Sequence, residues 1–120
     1  MEKRIPLQTN ERKFFKQVLE LLNPILRLRK KELDILAELM LKNSILRTIP
    51  IEHRYKLMLD SASRKEMRLS TKQSEAAFNN NLAQLKKTKM ISESGIKKFL
   101  DIPYDPSFKL IFEFKGNDRV

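Results

Sequence analysis

Apolar side chains recur every three or four residues along the first third of the chain, which is the spacing of one face of an α-helix. The first apolar stripe consists of Phe14, Phe15, Val18, Leu19, Leu22 and Ile25. Thr9 is a candidate N-cap for this helix, and Pro24 is expected to bend or end it. A second stripe predicts another helix over about residues 31–42, which the pair Asn43-Ser44 closes.

Residues 45–70 show a weaker pattern, from which two shorter helices are predicted. The first covers residues 51–59 and begins after Pro50. The second covers residues 64–69, and Asp60 or a serine just after it is a suitable cap. In this second helix only Met67 and Leu69 are convincing apolar residues.

Residues 74–87 predict the clearest helix of the chain. Ser74 is a favourable N-cap, and Phe78, Leu82 and Leu85 fall within one narrow stripe. A Lys-rich stop and the strand-like pair Met90-Ile91 follow. The opposite side of this helix carries small or amide side chains, one cation and no carboxylate: Gln73, Ala76, Asn80, Ala83, Gln84 and Lys87.

The C-terminal part of the chain predicts β-structure. Residues 92–95 are expected to form a turn, and residues 96–102 a strand in which a brief helical turn at 97–100 is the alternative. Residues 108–114 alternate strictly between apolar and polar side chains, as a half-buried strand does. These two strands would form a hairpin, and the last residues, 116–120, are polar enough to fray.

From Ser74 to Ile91 the pattern resembles the recognition helix of winged helix-turn-helix proteins, in which a Ser opens the helix, leucines anchor it and a basic turn leads into the wing. It is also similar to small winged-helix proteins of large tailed phages. The resemblance implies a single α+β, mostly α domain over residues 1–120. Its parts would be an N-terminal helical extension (1–28), a winged helix-turn-helix core with a C-terminal β-hairpin wing (29–115) and a frayed tail (116–120).

One departure from the family pattern lies just before the recognition helix. Lys72 stands near the position where a Gly is expected, and Thr71 occupies a site usually taken by Leu. An altered angle between the two helices would accommodate both residues.

Composition adds a strong positive charge. The 120 residues suffice for one core, and 33% of them are charged, as in a soluble globular domain. The formal charge is +10, and residues 61–100 alone hold nine basic and three acidic side chains. Such a balance suits a polyanion, because each phosphate that Lys or Arg neutralises releases counterions. Charge by itself leaves DNA, RNA and an anionic membrane as alternatives.

Several function classes find no support in the sequence. Cysteine is absent, so neither a disulfide nor a Cys-based zinc site can form. No Walker A, Gly-x-Gly-x-x-Gly or His-Glu-x-x-His motif occurs, and His53 is the lone histidine, so we predict no catalysis, metal or cofactor. No signal peptide and no run of roughly 20 apolar residues is seen, so no membrane contact is predicted. We expect a location in the cytoplasm of a bacterial or phage-infected cell.

The resemblance and the charge together favour a DNA-binding protein, most simply a transcriptional regulator. Asn80 and Gln84 would read base edges with help from Gln73, because amides pair with bases bidentately, while lysines would hold the phosphates. The predicted DNA-binding residues are Lys72, Gln73, Ser74, Asn80, Gln84, Lys86, Lys87, Lys97, Lys98 and Lys109.

Two simpler interpretations stay open. Residues 79–81 can be a solvated helix face, and Lys86, Lys87 and Lys89 can merely complement a helix dipole. The alternative function is a structural or assembly component of a phage particle or nucleoprotein complex that uses the scaffold for protein contacts. The first apolar stripe is either core or a homodimer contact.

Overall fold

The computed structural model describes residues 7–92 and 95–102, and this part of the chain is mostly helical with a small antiparallel sheet. The helices are α1 (Leu7–Leu26), α2 (Lys30–Ile45), α3 (Ile51–Met58), α4 (Ser61–Ser70) and α5 (Glu75–Lys87). Strand β1 (Ile91–Ser92) pairs antiparallel with β2 (Gly95–Ile96), and a 3₁₀ turn follows at Lys98–Leu100. The prediction of a mostly helical α+β chain is confirmed.

Helix α2 is the centre of the core. Residues 35–41 form an unbroken buried run, so this helix is covered on almost every side. Helices α1 and α5 make the most extensive contacts with it, and α3, α4 and β2 also pack against it. Buried side chains from the surrounding elements join one apolar cluster: Phe15, Leu19, Met58, Met67, Phe78, Leu82, Leu85 and Ile96. Each large apolar side chain buried here stabilises the fold by roughly 1.5–3 kcal/mol.

Helix α1 continues past Pro24 to Leu26, so this proline does not end it. A proline this close to a helix C-terminus removes few backbone hydrogen bonds. Asn23 closes the helix instead: its Oδ1 accepts from the Leu28 N–H at 2.8 Å, and its Nδ2 donates to the Leu28 carbonyl at 3.1 Å. Arg27, between them, has a left-handed φ of 55°.

Side-chain caps open both α4 and α5. The Asp60 carboxylate accepts from the Ser63 N–H at 2.8 Å, and the hydrogen bonds from Ser63 lower the pKa of Asp60. Helix α4 therefore begins three residues earlier than the stretch 64–69 predicted from sequence. The Ser74 hydroxyl accepts from the Ala77 N–H at 3.1 Å, which confirms the predicted start of α5.

The turn between α4 and α5 is a Schellman motif. The Lys72 N–H donates to the Leu69 carbonyl at 3.2 Å, and the Gln73 N–H donates to the Arg68 carbonyl at 3.0 Å. Lys72 has a φ of 56°, a conformation that costs an L side chain about 1–2 kcal/mol and a glycine almost nothing. The position near which the resemblance leads us to expect a Gly is therefore left-handed, with a lysine in it.

Thr71, at the site where a Leu is expected, is nevertheless buried. Its hydroxyl donates to the Met67 carbonyl at 2.8 Å, one turn back in α4. A threonine can fill this site because its polar group is satisfied locally and leaves only the methyl group to pack.

Helix α5 ends in a second Schellman motif and delivers the chain into the hairpin. Lys89 has a φ of 66°, and the Met90 N–H donates to the Leu85 carbonyl at 3.0 Å. In the sheet, Ile91 pairs with Ile96. Gly95 has a φ of 112°, and a Cβ there would lie 3.3 Å from the Ile51 side chain, so the hairpin requires a glycine.

The predicted strand over residues 96–102 is wrong beyond Ile96 and the predicted helical turn is right. The buried side chain of Leu100 requires the chain to turn back to the core, and the 3₁₀ turn does this. Asp101 is then fixed by Asn43 at 2.7 Å and by Arg47 at 2.7 Å. The strand predicted at 108–114 and the tail at 116–120 lie outside the described residues.

A buried arginine shapes the loop between α2 and α3. Arg54 is 8% exposed, and its Nε and Nη2 donate to the Ile49 carbonyl at 3.1 and 2.9 Å. Its Nη2 also donates to the Arg47 carbonyl at 3.0 Å, and its Nη1 donates to Asn43 Oδ1 at 3.1 Å. The guanidinium N–H groups thus hold both the loop that contains Arg47 and Ile49 and the end of α2 at Asn43.

Candidate nucleic-acid interface

The solvent-facing side of α5 carries small, amide and cationic side chains. Phe78, Leu82 and Leu85 are buried against the core, as the stripe predicts. The residues left exposed behind the first turn are Ala76, Asn79, Asn80, Ala83, Lys86 and Lys87, with Gln84 half-buried beside them. The acidic residue of this helix is Glu75 in the first turn, where a carboxylate complements the helix dipole. We call this side the amide face of α5.

Asn80 and Gln84 lie where the sequence prediction puts them. Neither side-chain amide hydrogen-bonds to another residue of the part of the chain that is described. Both groups can therefore donate to and accept from an external partner at once. Asn79 shares the face and is equally exposed.

Gln73 is the clearest correction among the predicted site residues. It is 7% exposed, its Nε2 donates to the Lys31 carbonyl at 3.3 Å, and its Oε1 accepts from Asn81 at 2.9 Å. The prediction that it lies on the exposed face is wrong, because this residue precedes the N-cap and the chain there still runs beneath the start of α2. The Gln73 side chain thus links α2 to α5, because it hydrogen-bonds to Lys31 in α2 and to Asn81 in α5.

The other residues at the start of α5 have local roles. Ser74 uses a lone pair of its hydroxyl to cap the helix, which leaves the O–H as a donor. Lys72 is exposed on the left-handed turn directly before it. Lys72 thus keeps its place in the predicted interface, at the N-terminal end of the amide face.

Three cations of α4 belong to this surface and were missed by sequence reasoning. Arg64, Lys65 and Arg68 line a cleft between α4 and α5, together with Ser61, Glu75, Phe78 and Asn79. Cations on a short polar helix look like an ordinary solvated face, so a single sequence does not separate the two cases. The sequence signal that could have indicated these cations was the excess of basic over acidic side chains in residues 61–100.

The acidic residue of α4 points elsewhere. Glu66 forms an ion pair with Lys42 of α2, and this hydrogen bond lowers the pKa of Glu66. Its charge is therefore engaged on the other side of α4 from the cleft. Residues 61–92 hold seven basic and two acidic side chains, and Glu66 is one of the two.

The lysines predicted for the wing follow the hairpin instead of lying along a strand. Lys97 is half-buried, its N–H donates to the Met90 carbonyl at 2.8 Å, and its Nζ lies 6.0 Å from the centre of the Phe99 ring. Lys98 is exposed in the 3₁₀ turn. The placement of Lys97 and Lys98 on a long wing strand is therefore wrong, because the chain leaves the sheet after Ile96. Lys109 lies outside the described residues.

The dimensions of α5 suit a groove lined by phosphates. Thirteen helical residues extend about 20 Å, whereas the major groove of B-DNA is about 12 Å wide. Cations stand at both ends of the helix, Lys72 before it and Lys86, Lys87 and Lys89 at its close. A helix lying in the groove would bring its middle to the bases and its ends to the backbone.

The described residues contain no group of three or more His, Asp or Glu side chains that could hold a metal ion. His53 is exposed. Among the helices of this part of the chain, none has the length and apolar character needed to cross a bilayer.

Comparison with protein-family models, with curated protein sequences and with solved structures gave no significant match for this chain.

Proposed function

We propose that this protein binds double-stranded DNA through a winged helix-turn-helix arrangement and acts as a transcriptional regulator. In this assignment α2, α4 and α5 are the three helices of the core, the β1–β2 hairpin is a short wing, and α1 is the N-terminal extension. The order of these elements, the left-handed turn at Lys72 and the packing of α4 and α5 on α2 support it.

One observation carries the proposal: the amide face of α5 lies beside the cationic cleft of α4. Amides carry base information in the major groove, whereas cations on a neighbouring helix hold the sugar-phosphate backbone. A merely solvated surface in a chain that is 33% charged would be expected to mix acidic and basic side chains. Here the acidic side chain on the shared surface is Glu75, close to the N-terminus of α5.

The proposal assigns two sets of roles. Asn80 and Gln84 read base edges, and Asn79 is within the same face. The backbone contacts come from the exposed cations Arg64, Lys65, Lys72, Lys86, Lys87 and Lys98 and from the half-buried Arg68. Ala76 and Ala83 let the helix approach the groove closely, because a methyl group does not hold the backbone away.

The test is fluorescence anisotropy with labelled duplexes over a salt series, using both random DNA and a site selected from a randomised pool. We expect K86Q with K87Q to weaken binding to all duplexes and to lower the slope of log affinity against log salt by about two. We expect Asn80→Ala to cost about 1–3 kcal/mol on the selected site and little on random DNA. Lys13→Gln, an exposed cation on α1, is the matched control and should change neither.

If K86Q with K87Q binds random DNA as tightly as the natural sequence at low salt, the basic surface serves solubility alone and the proposal is wrong. Retention of all duplexes without any selected sequence would replace the regulator by an architectural DNA-binding protein. A DNA-binding role would be exercised in the cytoplasm of a bacterial or phage-infected cell.

A second candidate function rests on α1. Leu21 is 57% exposed and Ile25 is 72% exposed, and both lie near the C-terminal end of this helix. Adjacent exposed apolar side chains are typical of protein contacts. We propose that a second copy of the chain covers them, because dimeric regulators place two recognition helices on successive turns of DNA. Failure of DNA binding with retained self-association would favour a structural or assembly component.

A further inference from the structure

Three non-glycine residues of the described chain have a left-handed backbone. They are Arg27 with a φ of 55°, Lys72 with 56° and Lys89 with 66°. All three are basic and exposed, and each follows the C-terminal end of a helix, α1, α4 or α5 respectively. A left-handed position after a helix normally selects glycine, or otherwise asparagine. The basic side chain at each of these sites therefore needs a reason other than conformation.

The turns themselves do not require these side chains. At Lys72 and Lys89 the Schellman hydrogen bonds involve only backbone groups, and at Arg27 the closing contacts come from the Asn23 side chain. Within the described residues none of the three side chains makes a hydrogen bond or an ion pair. Each cation is thus held at a fixed turn and points to no internal partner.

Complementing the helix dipole explains them only in part. A cation near a helix C-terminus is favourable, and α1 has no basic residue in its last turn, so Arg27 can have this role. Helix α4, by contrast, already has Arg68 in its last turn, and α5 has Lys86 and Lys87. A further cation in a strained position adds little to an end that is already neutralised. Strained backbone that the surrounding fold maintains is often found where a residue serves binding.

Two of the three residues flank α5. Lys72 lies at its beginning and Lys89 at its close, about 20 Å apart along the helix. Arg27 lies in the loop that leads into α2, and Lys31, near the start of α2, contacts the turn before α5. Its Nζ lies 3.4 Å from the Thr71 carbonyl, and its carbonyl accepts from Gln73. The loop between α1 and α2 therefore leads into the helix end that meets the turn before α5.

We propose that Arg27, Lys72 and Lys89 are fixed phosphate contacts of the duplex DNA that α5 binds. This inference rests on the proposed DNA-binding function and extends its footprint to the loop between α1 and α2. A short left-handed turn fixes the Cα position of the residue, so each cation can reach only one region of the DNA backbone. Ordering its side chain on binding therefore costs less entropy than ordering a residue in a mobile segment. Such contacts add affinity and register but no sequence preference.

Glycine substitution separates this role from a structural one. Arg27→Gly, Lys72→Gly and Lys89→Gly each remove the cation and relieve the left-handed strain, so the turn is retained. We expect the melting temperature of each variant to be unchanged or higher. We expect the slope of log affinity against log salt on random duplex DNA to fall by about one for each variant and by about three for the triple variant.

The outcomes distinguish this inference from the function on which it rests. If the three glycine variants keep the salt slope of the natural sequence while K86Q with K87Q loses binding, the inference is wrong and the DNA-binding function stands. If the natural sequence shows no salt-dependent DNA binding, both are wrong. A melting temperature that falls in the glycine variants would show that the side chains support the turns, which also overturns the inference. Lys13→Gln is again the control and should leave slope and melting temperature unchanged.

Discussion

Helices α1 and α5 pack against the same central helix, yet they present opposite surfaces to solvent. Each buries a short apolar stripe: Phe15, Val18 and Leu19 in α1, and Phe78, Leu82 and Leu85 in α5. Behind that stripe α1 exposes Leu21 and Ile25 together with charged side chains such as Lys16 and Glu20, whereas α5 exposes amides, alanines and lysines. The buried sides of the two helices are interchangeable in character, and only their outer sides differ.

This difference shows where functional information lies in a small helical domain. The apolar stripes specify how α1 and α5 are placed, because burial against α2 provides the free energy of folding. The outer surfaces contribute little to stability, and so they are free to be suited to a partner. We infer that the exposed apolar pair Leu21 and Ile25 on α1 suits protein and that the acid-poor surface on α5 suits a polyanion.

The largest effects are expected where the two helices are alike. Leu19→Ala in α1 and Leu85→Ala in α5 should each lower the free energy of unfolding by about 2–5 kcal/mol, because both side chains are fully buried and leave a cavity. Asn80→Ala, on the outer side of α5, should stay within about 0.5 kcal/mol. Urea denaturation followed by circular dichroism measures all three. Similar losses for Asn80→Ala and Leu85→Ala would mean that the inner and outer sides of α5 have been confused.

An intermediate effect is expected where the helices differ. Leu21→Gln combined with Ile25→Gln should dissociate the proposed homodimer, because these apolar side chains would lose their cover, while the fold is kept since both are largely exposed. Sedimentation equilibrium of the natural sequence and of the double variant, over a range of concentrations, measures the oligomeric state of each. A natural sequence that stays monomeric at every concentration would remove the homodimer and leave another protein as the partner of α1.

The smallest effect concerns the contact that attaches α1 to the centre of the fold. Arg12 Nε lies 3.3 Å from Glu38 Oε2, and burial raises the pKa of Glu38 despite the opposing charge of Arg12. The folded state therefore holds this proton to higher pH than the unfolded chain does. Its contribution to stability is complete below the unfolded pKa and is lost as pH rises through the folded pKa.

Glu38→Gln should abolish that pH dependence. We expect the free energy of unfolding of the natural sequence to fall relative to the variant as the pH rises from about 4 to about 7. Thermal unfolding of both proteins at matched salt gives the difference curve. A difference that is flat or has the opposite slope would mean that Arg12 outweighs the burial of Glu38.

The sequence predicted α5 well because its signals are local and agree with one another. Ser74 caps, Phe78, Leu82 and Leu85 repeat at helical spacing, and the Lys-rich stop ends the helix at Lys87. The unusual turn was predictable in part, since Lys72 was recognised at a glycine position and has a left-handed φ. The features that could be predicted are therefore those that depend on helix caps, hydrophobic periodicity and turn residues within a few positions of one another.

Features that depend on tertiary contacts were missed. Gln73 is buried because α2 passes over it, and nothing within its neighbouring sequence indicates this. Residues 97–102 have apolar side chains suited to a strand, but the chain turns because Leu100 packs in the core and Asp101 meets Asn43 and Arg47. The cleft of Arg64, Lys65 and Arg68 exists only when α4 and α5 are placed together.

Arg54 has a consequence for how this chain can vary among relatives. Its guanidinium binds the main-chain carbonyls of Arg47 and Ile49, and these acceptors persist whatever side chain stands at Thr48 between them. The side chain at Thr48 can therefore change, while the conformation of the loop depends on a residue outside it. Even Arg54→Lys, which keeps the charge, would leave acceptors unmet because an ammonium group lacks the planar fork. We therefore expect Thr48 to tolerate substitution and Arg54, which looks like an ordinary charged residue, not to tolerate it.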